Sequence, residues 1–308
     1  MNEDATVVSG DIARLAGVGR AAVSNWRRRF ADFPRPVGGT AANPLYSLAE
    51  VEAWLRKRGK LGELPVDELT WQVIRNAADD LRLPGLVGSL AAQVASGRCD
   101  PGMERDLLGA VTGLVAERGK AWVVEFLHER YLAAHSRRVQ PLSREVATLV
   151  AGLIGKAGTV LDPSCGFGEL LLEASAAVRV LGQERDEVSV RLALSRLLVR
   201  GRAAEVRPGH ALRQDAFPGV EADVVVCNPP FGERGWGYEE LAHDPRWEYG
   251  LPPRGEPELA WVQHCLAHVR PGGLVAVLMP QVAAGRRSGR RIRSRLLRAG
   301  ALQAVIAL

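Results

Sequence analysis

The chain lacks the spacing that would close a disulfide framework or a zinc site: its four cysteines, Cys99, Cys165, Cys227 and Cys265, stand far apart with no Cys-x-x-Cys pair. No apolar run reaches membrane-spanning length, and the first residues, Met-Asn-Glu-Asp, are acidic where an export signal would be basic. His128 and His135 have no partner at metal-ligand spacing. These absences argue against a secreted scaffold, a membrane protein and a metal site, and make the reducing cytoplasm the expected compartment. With 308 residues and 47% hydrophobic content, the sequence can bury a large core and has room for more than one domain.

Positive charge is unevenly spread. Residues 1–60 hold ten Lys/Arg against six Asp/Glu, and the remaining 248 hold thirty against twenty-nine, so most of the net +5 lies at the N-terminus. A second concentration, Arg286, Arg287, Arg290, Arg291, Arg293, Arg295 and Arg298, falls in a stretch with no acid from Gly285 onward. Either cluster can bind phosphate, although an arginine-rich run is as often a solvated face.

The patterning predicts three segments. In residues 1–60, Ile12, Ala13, Leu15 and Ala16 mark a short apolar helix, Gly17-Val18-Gly19 a tight turn, and Arg20 to Phe30 a second helix rich in Arg, Ser, Asn and Trp. Phe33 to Tyr46 suits a hairpin, and Ser47-Leu48-Ala49-Glu50 caps a further helix with Val51, Trp54 and Leu55 on one face. Residues 61–137 read as a connector of helices over Val66–Leu81, Leu86–Ala95, Met103–Glu117 and Ala121–Ala134, without a chemical motif. From residue 138 to 308, strands and helices alternate, which predicts an α/β domain with a mostly parallel sheet. The strands are expected at Thr159–Leu161, Val178–Leu181, Ala204–Arg207, Val224–Cys227, Leu274–Leu278 and Leu302–Ala307.

Ligands in such sheets bind beyond the strand C-termini, so the loops there carry the chemistry. Asp162-Pro163-Ser164-Cys165-Gly166-Phe167-Gly168 follows the first strand. Its glycines let backbone approach a ligand, and a helix over Glu169–Ala177 would aim its N-terminus at the site. Glu184, ending the second strand, is placed to accept ribose hydroxyls, and Asp215, after the third, to accept an adenine amino group. A Gly-x-Gly turn alone fits NAD or plain packing equally well. The fourth strand runs into Asn228-Pro229-Pro230-Phe231, a stiff, carbonyl-rich loop suited to an exocyclic amino group on a flat base.

Two resemblances follow from these motifs. Ser9 to about Arg58, through Ile12 to Val18, Val23-Ser24-Asn25-Trp26 and Tyr46 to Leu55, resembles the winged helix-turn-helix of MerR-type regulators and phage excisionases. It implies DNA contacts from Arg20, Ser24, Asn25, Arg27, Arg28 and Arg29. Arg138 to Leu308 resembles the catalytic domain of N6-adenine DNA methyltransferases, most of all the modification subunit of type I restriction systems. It does so through Val139 to Ser143, Leu161 to Gly168, Asn228 to Phe231, Glu258-Leu259-Ala260-Trp261, Arg270-Pro271-Gly272-Gly273, Arg291-Ile292-Arg293 and Ala304 to Leu308.

That resemblance implies a Rossmann-like fold and transfer of methyl from S-adenosylmethionine to adenine N6 in double-stranded DNA. The cofactor would be bound by Pro141, Asp162, Pro163, Ser164, Cys165, Gly166, Gly168, Glu184, Asp215 and Asn228. The chemistry would fall to Asn228, Pro229, Pro230 and Phe231, with a specificity or restriction subunit as partner. Val139-Gln140-Pro141 departs from the family's usual Tyr/Phe-Thr-Pro. Similar Asn-Pro-Pro loops also serve RNA and protein-glutamine methyltransferases, and a DNA-binding regulator with an inactive methyltransferase fold is a further alternative.

Overall fold

The structure is a computed structural model that describes residues 6–40, 43–60, 65–98, 102–135 and 141–308. Cys99, Arg138, Val139 and Gln140 lie outside these residues. The chain divides into two compact units, residues 1–83 with 102–117, and residues 84–101 with 118–308. The helical stretch expected as a connector, residues 61–137, falls partly in each unit.

The first unit opens with β1 (Thr6–Val8), α1 (Ser9–Leu15) and α2 (Arg20–Arg29), continues with β2 (Pro36–Gly39), β3 (Pro44–Ser47) and α3 (Leu48–Lys57), and adds α4 (Val66–Asn76). Its strands form an antiparallel sheet in the order β1-β3-β2. Gly17, at φ 63°, makes the turn between α1 and α2 in a region that disfavours any residue with a Cβ. Ser47 caps α3 by accepting the Glu50 N–H at 3.5 Å. The core of this unit is aromatic: Trp54 packs on Trp26 and edge-on to Phe33, with ring centroids 5.6 and 5.0 Å away. On α2 only Val23 and Trp26 are buried, which leaves Arg20, Ser24, Asn25 and Arg27 to Arg29 exposed.

Three further helices precede the large sheet: α5 (Leu83–Ser96), α6 (Arg105–Arg118) and α7 (Lys120–His135). The second unit then runs α8 (Arg144–Ile154), β4 (Thr159–Asp162), α9 (Glu169–Glu173), β5 (Arg179–Glu184), α10 (Glu187–Leu198), β6 (Ala203–Pro208), β7 (Ala222–Cys227), α11 (Glu258–Leu266), β8 (Val269–Val277) and α12 (Arg290–Arg298). Its five strands are all parallel, ordered β6-β5-β4-β7-β8. Side chains alternate across this sheet as the two-residue strand period requires. Val160, Val180, Val224 and Val226 face a core shared with α8, α9 and α10. Leu161, Leu181, Val225 and Cys227 face the opposite core, with Trp236, Trp247 and Trp261.

Three expectations fail, the first being the helix expected over Val66–Leu81, which stops at Asn76. Leu302–Ala307 is not a strand: none of the described strands pairs with it, so its backbone has no ladder to join, and residues 303–308 are exposed. The helix expected over Glu169–Ala177 stops at Glu173, where the chain turns toward β5 through the Ser175 N–H to Glu173 carbonyl bond at 2.6 Å.

Candidate functional site

The strand order reverses direction between β4 and β7, because β5 and β6 extend the sheet to one side of β4 while β7 and β8 extend it to the other. At such a switch point the two following loops part and leave a crevice. Here those loops are Asp162–Gly168 and Asn228–Phe231. Between them lies a cleft of ≈ 380 Å³, within the usual range for small-molecule sites.

Most of the predicted residues meet in this cleft: Pro141, Asp162, Pro163, Ser164, Cys165, Gly166, Glu184, Asn228, Pro229 and Pro230 all line it. The β4 loop is braced from several sides. Cys165 N–H donates to the Gln183 carbonyl at 2.9 Å, and Gly166 N–H to Glu184 Oε2 at 3.1 Å. The other Glu184 oxygen accepts the Asp186 N–H at 2.9 Å, so this carboxylate is held with lone pairs to spare. Beneath the loop, Arg196, 8% exposed, donates to the Phe167 carbonyl at 2.6 Å and pairs with Glu169 and Glu125.

Electrostatics set this cleft apart. Asp162 is 1% exposed, and burial pushes its carboxyl up to about 8; the Ser164 N–H opposes the rise, while the negative charges of Glu184 and Glu169 add to it. Burial raises Glu169 too, against the pull of Arg196. Three carboxyl groups border one cleft, and a cation placed there would draw the raised ones toward their charged form. Burial likewise keeps the Cys165 thiol protonated, which removes it as a nucleophile.

On the β7 side, the Asn228 carboxamide has no hydrogen-bond partner among the described residues, and Pro229 behind it is buried. Gly232 N–H donates to Glu258 Oε1 at 2.9 Å, which anchors the loop's far end on α11. Phe231 does not line the cleft; it directly follows Pro230, which does, and is 52% exposed.

Two other predicted residues lie elsewhere. Gly168 is the left-handed residue that starts α9, at φ 83°, and packs against Ala193. Asp215 does not line the cleft: one oxygen accepts the Phe217 N–H and the other meets His268 Nε2, both at 2.9 Å. The chain leaves β6 through Gly209, whose N–H is held by the Glu184 carbonyl, and this turn brings His210 to the cleft, five positions before Asp215. Partial burial works against ionisation of Asp215, but the bonds from His268 and Phe217 hold it down at about 2. Its carboxylate in turn raises His268 against the effect of burial.

Sequence reasoning missed the far wall of the cleft, made by Arg185, Gly209, His210, Glu233 and Trp261. Glu233 accepts from His210 Nε2 and from Arg185, each at 3.1 Å, and thereby ties the loop after β7 to the ends of β6 and β5. It also missed a cluster in which ligand-type atoms of Asp215, His264 and His268 lie within 4.8 Å of one another. Arg246 donates to His264 Nδ1 at 2.7 Å, so the group is wired as a hydrogen-bond relay around a permanent positive charge.

Comparison with known proteins agrees with this architecture. Residues 141–308 match the family model for N-6 DNA methylases. The type I restriction enzyme HindI methylase subunit of Haemophilus influenzae is 26% identical over 203 residues, covering 60% of this chain and 46% of that protein. The MjaIX methylase subunit of Methanocaldococcus jannaschii is 28% identical over 153 residues, covering 44% of this chain and 27% of that one. The chain thus spans less than half the length of these curated relatives.

Among solved structures, a type I restriction-modification methyltransferase subunit from Streptococcus thermophilus superposes with a TM-score of 0.53 at 19% identity, over 83% of this chain and 68% of that one. A Listeria monocytogenes protein described as a class I S-adenosylmethionine-dependent methyltransferase gives 0.56 at 16%, over 76% and 79%. These two share the fold. With the family model covering more than half of its length, the chain belongs to the N-6 DNA methylase family.

Proposed function

We propose that this chain transfers a methyl group from S-adenosylmethionine to the N6 amino group of adenine in double-stranded DNA, as the modification component of a restriction-modification or phage-defence system. The observation that carries the reading is the convergence of the Asp162–Gly168 and Asn228–Phe231 loops on one acidic cleft at the switch point of the sheet. The residues present fit this cofactor, because a ligand bearing ammonium and sulfonium charges suits a cleft bordered by Asp162, Glu169 and Glu184. When bound, S-adenosylmethionine supplies an electrophilic methyl group.

The remaining chemistry belongs to the protein. Glu184 would accept ribose hydroxyls with the lone pairs its backbone bonds leave open. The Asn228 carboxamide oxygen and the Pro229 carbonyl would accept the two N–H bonds of the target amine, localising a lone pair otherwise delocalised into the ring. Phe231, already exposed, would stack on the base once it leaves the duplex, at an unstacking cost of a few kcal/mol. Preorganised acceptors and alignment supply the rate, with no covalent enzyme intermediate.

The first unit would read DNA as a winged helix-turn-helix, with Arg20, Ser24, Asn25 and Arg27 to Arg29 on the exposed side of α2 as the residues that enter or flank the major groove. A specificity or restriction subunit is the expected protein partner. The protein would act in the cytoplasm; no helix among the described residues is long and apolar enough to cross a membrane.

The test is transfer of labelled methyl to unmethylated duplex DNA by wild type and Asn228→Ala, with identification of the product base. N6-methyladenine that disappears in the variant supports the assignment. Methylated RNA or glutamine in its place, or an absence of cofactor binding, overturns it.

A further inference from the structure

We propose that the outer face of α12 and the turn before it form a phosphate-binding surface, Arg287, Arg290, Arg291 and Arg298, which holds the DNA strand whose base enters the Asn228–Phe231 loop. The proposal rests on the reading of DNA as substrate and says which surface grips it.

The segment is built with two kinds of arginine. On the inner side, Ile292 and Leu296 are each 4% exposed and pack on Leu259 of α11, while the half-buried Arg286 and Arg293 and the exposed Arg295 are committed to protein. Arg286 pairs with Glu258 at 3.4 Å, Arg293 with Glu256 at 3.3 Å, and Arg295 donates to the Tyr249 carbonyl at 3.2 Å. On the outer side, Arg287, Arg290, Arg291 and Arg298 are exposed and have no carboxylate partner among the described residues. The 50 residues from Leu259 to Leu308 contain no acidic residue. Four long cations are thus held close together on a braced element, an arrangement that self-repulsion disfavours unless an anion joins it.

What links this face to the site is a single buried carboxylate. Glu258, 1% exposed, accepts the Gly232 N–H through Oε1 at 2.9 Å and meets Arg286 through Oε2 at 3.4 Å. Gly232 directly follows Phe231, so the arginine segment starts one side chain away from the loop proposed to take the base. The start of α12 is equally fixed: Gly289 N–H and the Ser288 hydroxyl both donate to Glu256, and a Cβ at Gly289 would overlap that carboxylate and Leu259. Along α12, Arg291 and Arg298 stand seven residues apart on one face, about 10 Å by helix rise.

Arginine contacts to phosphate release counterions, so they are read from the salt dependence of binding. Each contact adds about 0.9 to the slope of log affinity against log salt. The experiment measures binding of the full chain to a fluorescent DNA duplex over a salt series, for wild type and for R287Q/R290Q/R291Q/R298Q. Thermal melting and calorimetric cofactor binding are run alongside. The expected result is a slope shallower by about 3 to 4 in the variant, with cofactor binding retained. An unchanged slope, while wild type still methylates the duplex, overturns the surface and leaves the proposed function standing. A wild type that binds no duplex at low salt overturns the substrate reading, and the surface with it. If the quadruple variant melts early, the single charge reversal R291E repeats the test at an exposed position, where an unchanged slope again overturns the proposal.

Discussion

The Asp162 carboxyl offers a direct check on the physical account of the cleft. Burial raises it to about 8, against an ordinary 3.8. The folded state therefore keeps this proton over a pH range in which the unfolded chain has released it. Stability from this group is complete below the unfolded value of 3.8 and is lost as pH rises through the folded value near 8. Within that window each pH unit removes a little over 1 kcal/mol, so from about pH 5.5 to about pH 7.5 wild type loses roughly 2 to 3 kcal/mol on this account.

Asp162→Asn keeps the shape and the acceptor for the Ser164 N–H but cannot ionise. Urea unfolding of both proteins across this range tests the point, provided their m-values agree. The stability of wild type relative to Asp162→Asn should fall by that amount and level off above about pH 8. A difference that stays constant with pH would refute the reasoning, because it would mean that the carboxyl is solvated and ionised in the folded protein. The same physics reaches the ligand. A cation in the cleft lowers the Asp162 pKa, so calorimetry near pH 7 in buffers of different ionisation enthalpy should show proton release on cofactor binding in wild type and less in Asp162→Asn.

Three other perturbations follow from particular contacts. Gly182→Ala would place a Cβ 2.9 Å from Cys165 Sγ and 3.1 Å from Leu171 Cδ1, so it should cost about 1–3 kcal/mol and loosen the cofactor loop; an unchanged melting temperature is the contrary result. Glu233→Ala frees the loop after β7 from His210 and Arg185 and should lower kcat by about tenfold or more with a smaller change in cofactor affinity, Glu233→Gln recovering part; equal kcat in all three proteins would remove Glu233 as a positioning residue. The Asp215–His268 pair stabilises the fold most fully between 3.8 and 6.5, and that stabilisation is lost as pH falls toward about 2 or rises through the raised His268 value. The melting difference between wild type and Asp215→Asn should be widest there, and a flat profile would contradict the pairing.

How far the site was legible depended on how local its determinants are. Asp162, Gly166, Glu184 and Asn228 each sit within a few residues of a strand end, and short apolar runs mark strands well, so their convergence followed from the rule for parallel sheets. Glu233 and His210 were not legible, because they meet across 23 positions through the path of a loop with no period to read. Asp215 does not line the cleft, and for the same reason this was not legible: the turn at Gly209 brings His210 there, and a carboxylate five positions on was the more attractive choice by chemistry alone.

Alternation of apolar residues, the glycines at forced turns and the cap at Ser47 were enough by themselves to determine most element types, and the Asn-Pro-Pro-Phe loop to point toward an amino group on a flat base. These depend on backbone preference and side-chain chemistry over a few neighbouring residues. Only the tertiary structure decided that Leu302–Ala307 forms no strand, that Asp162 is buried deeply enough to hold its proton, and that Glu258 joins Gly232 to the arginine segment. Those outcomes rest on pairing partners, desolvation and hydrogen bonds between residues far apart in the chain, and each is a property of the packed interior that no local pattern carries.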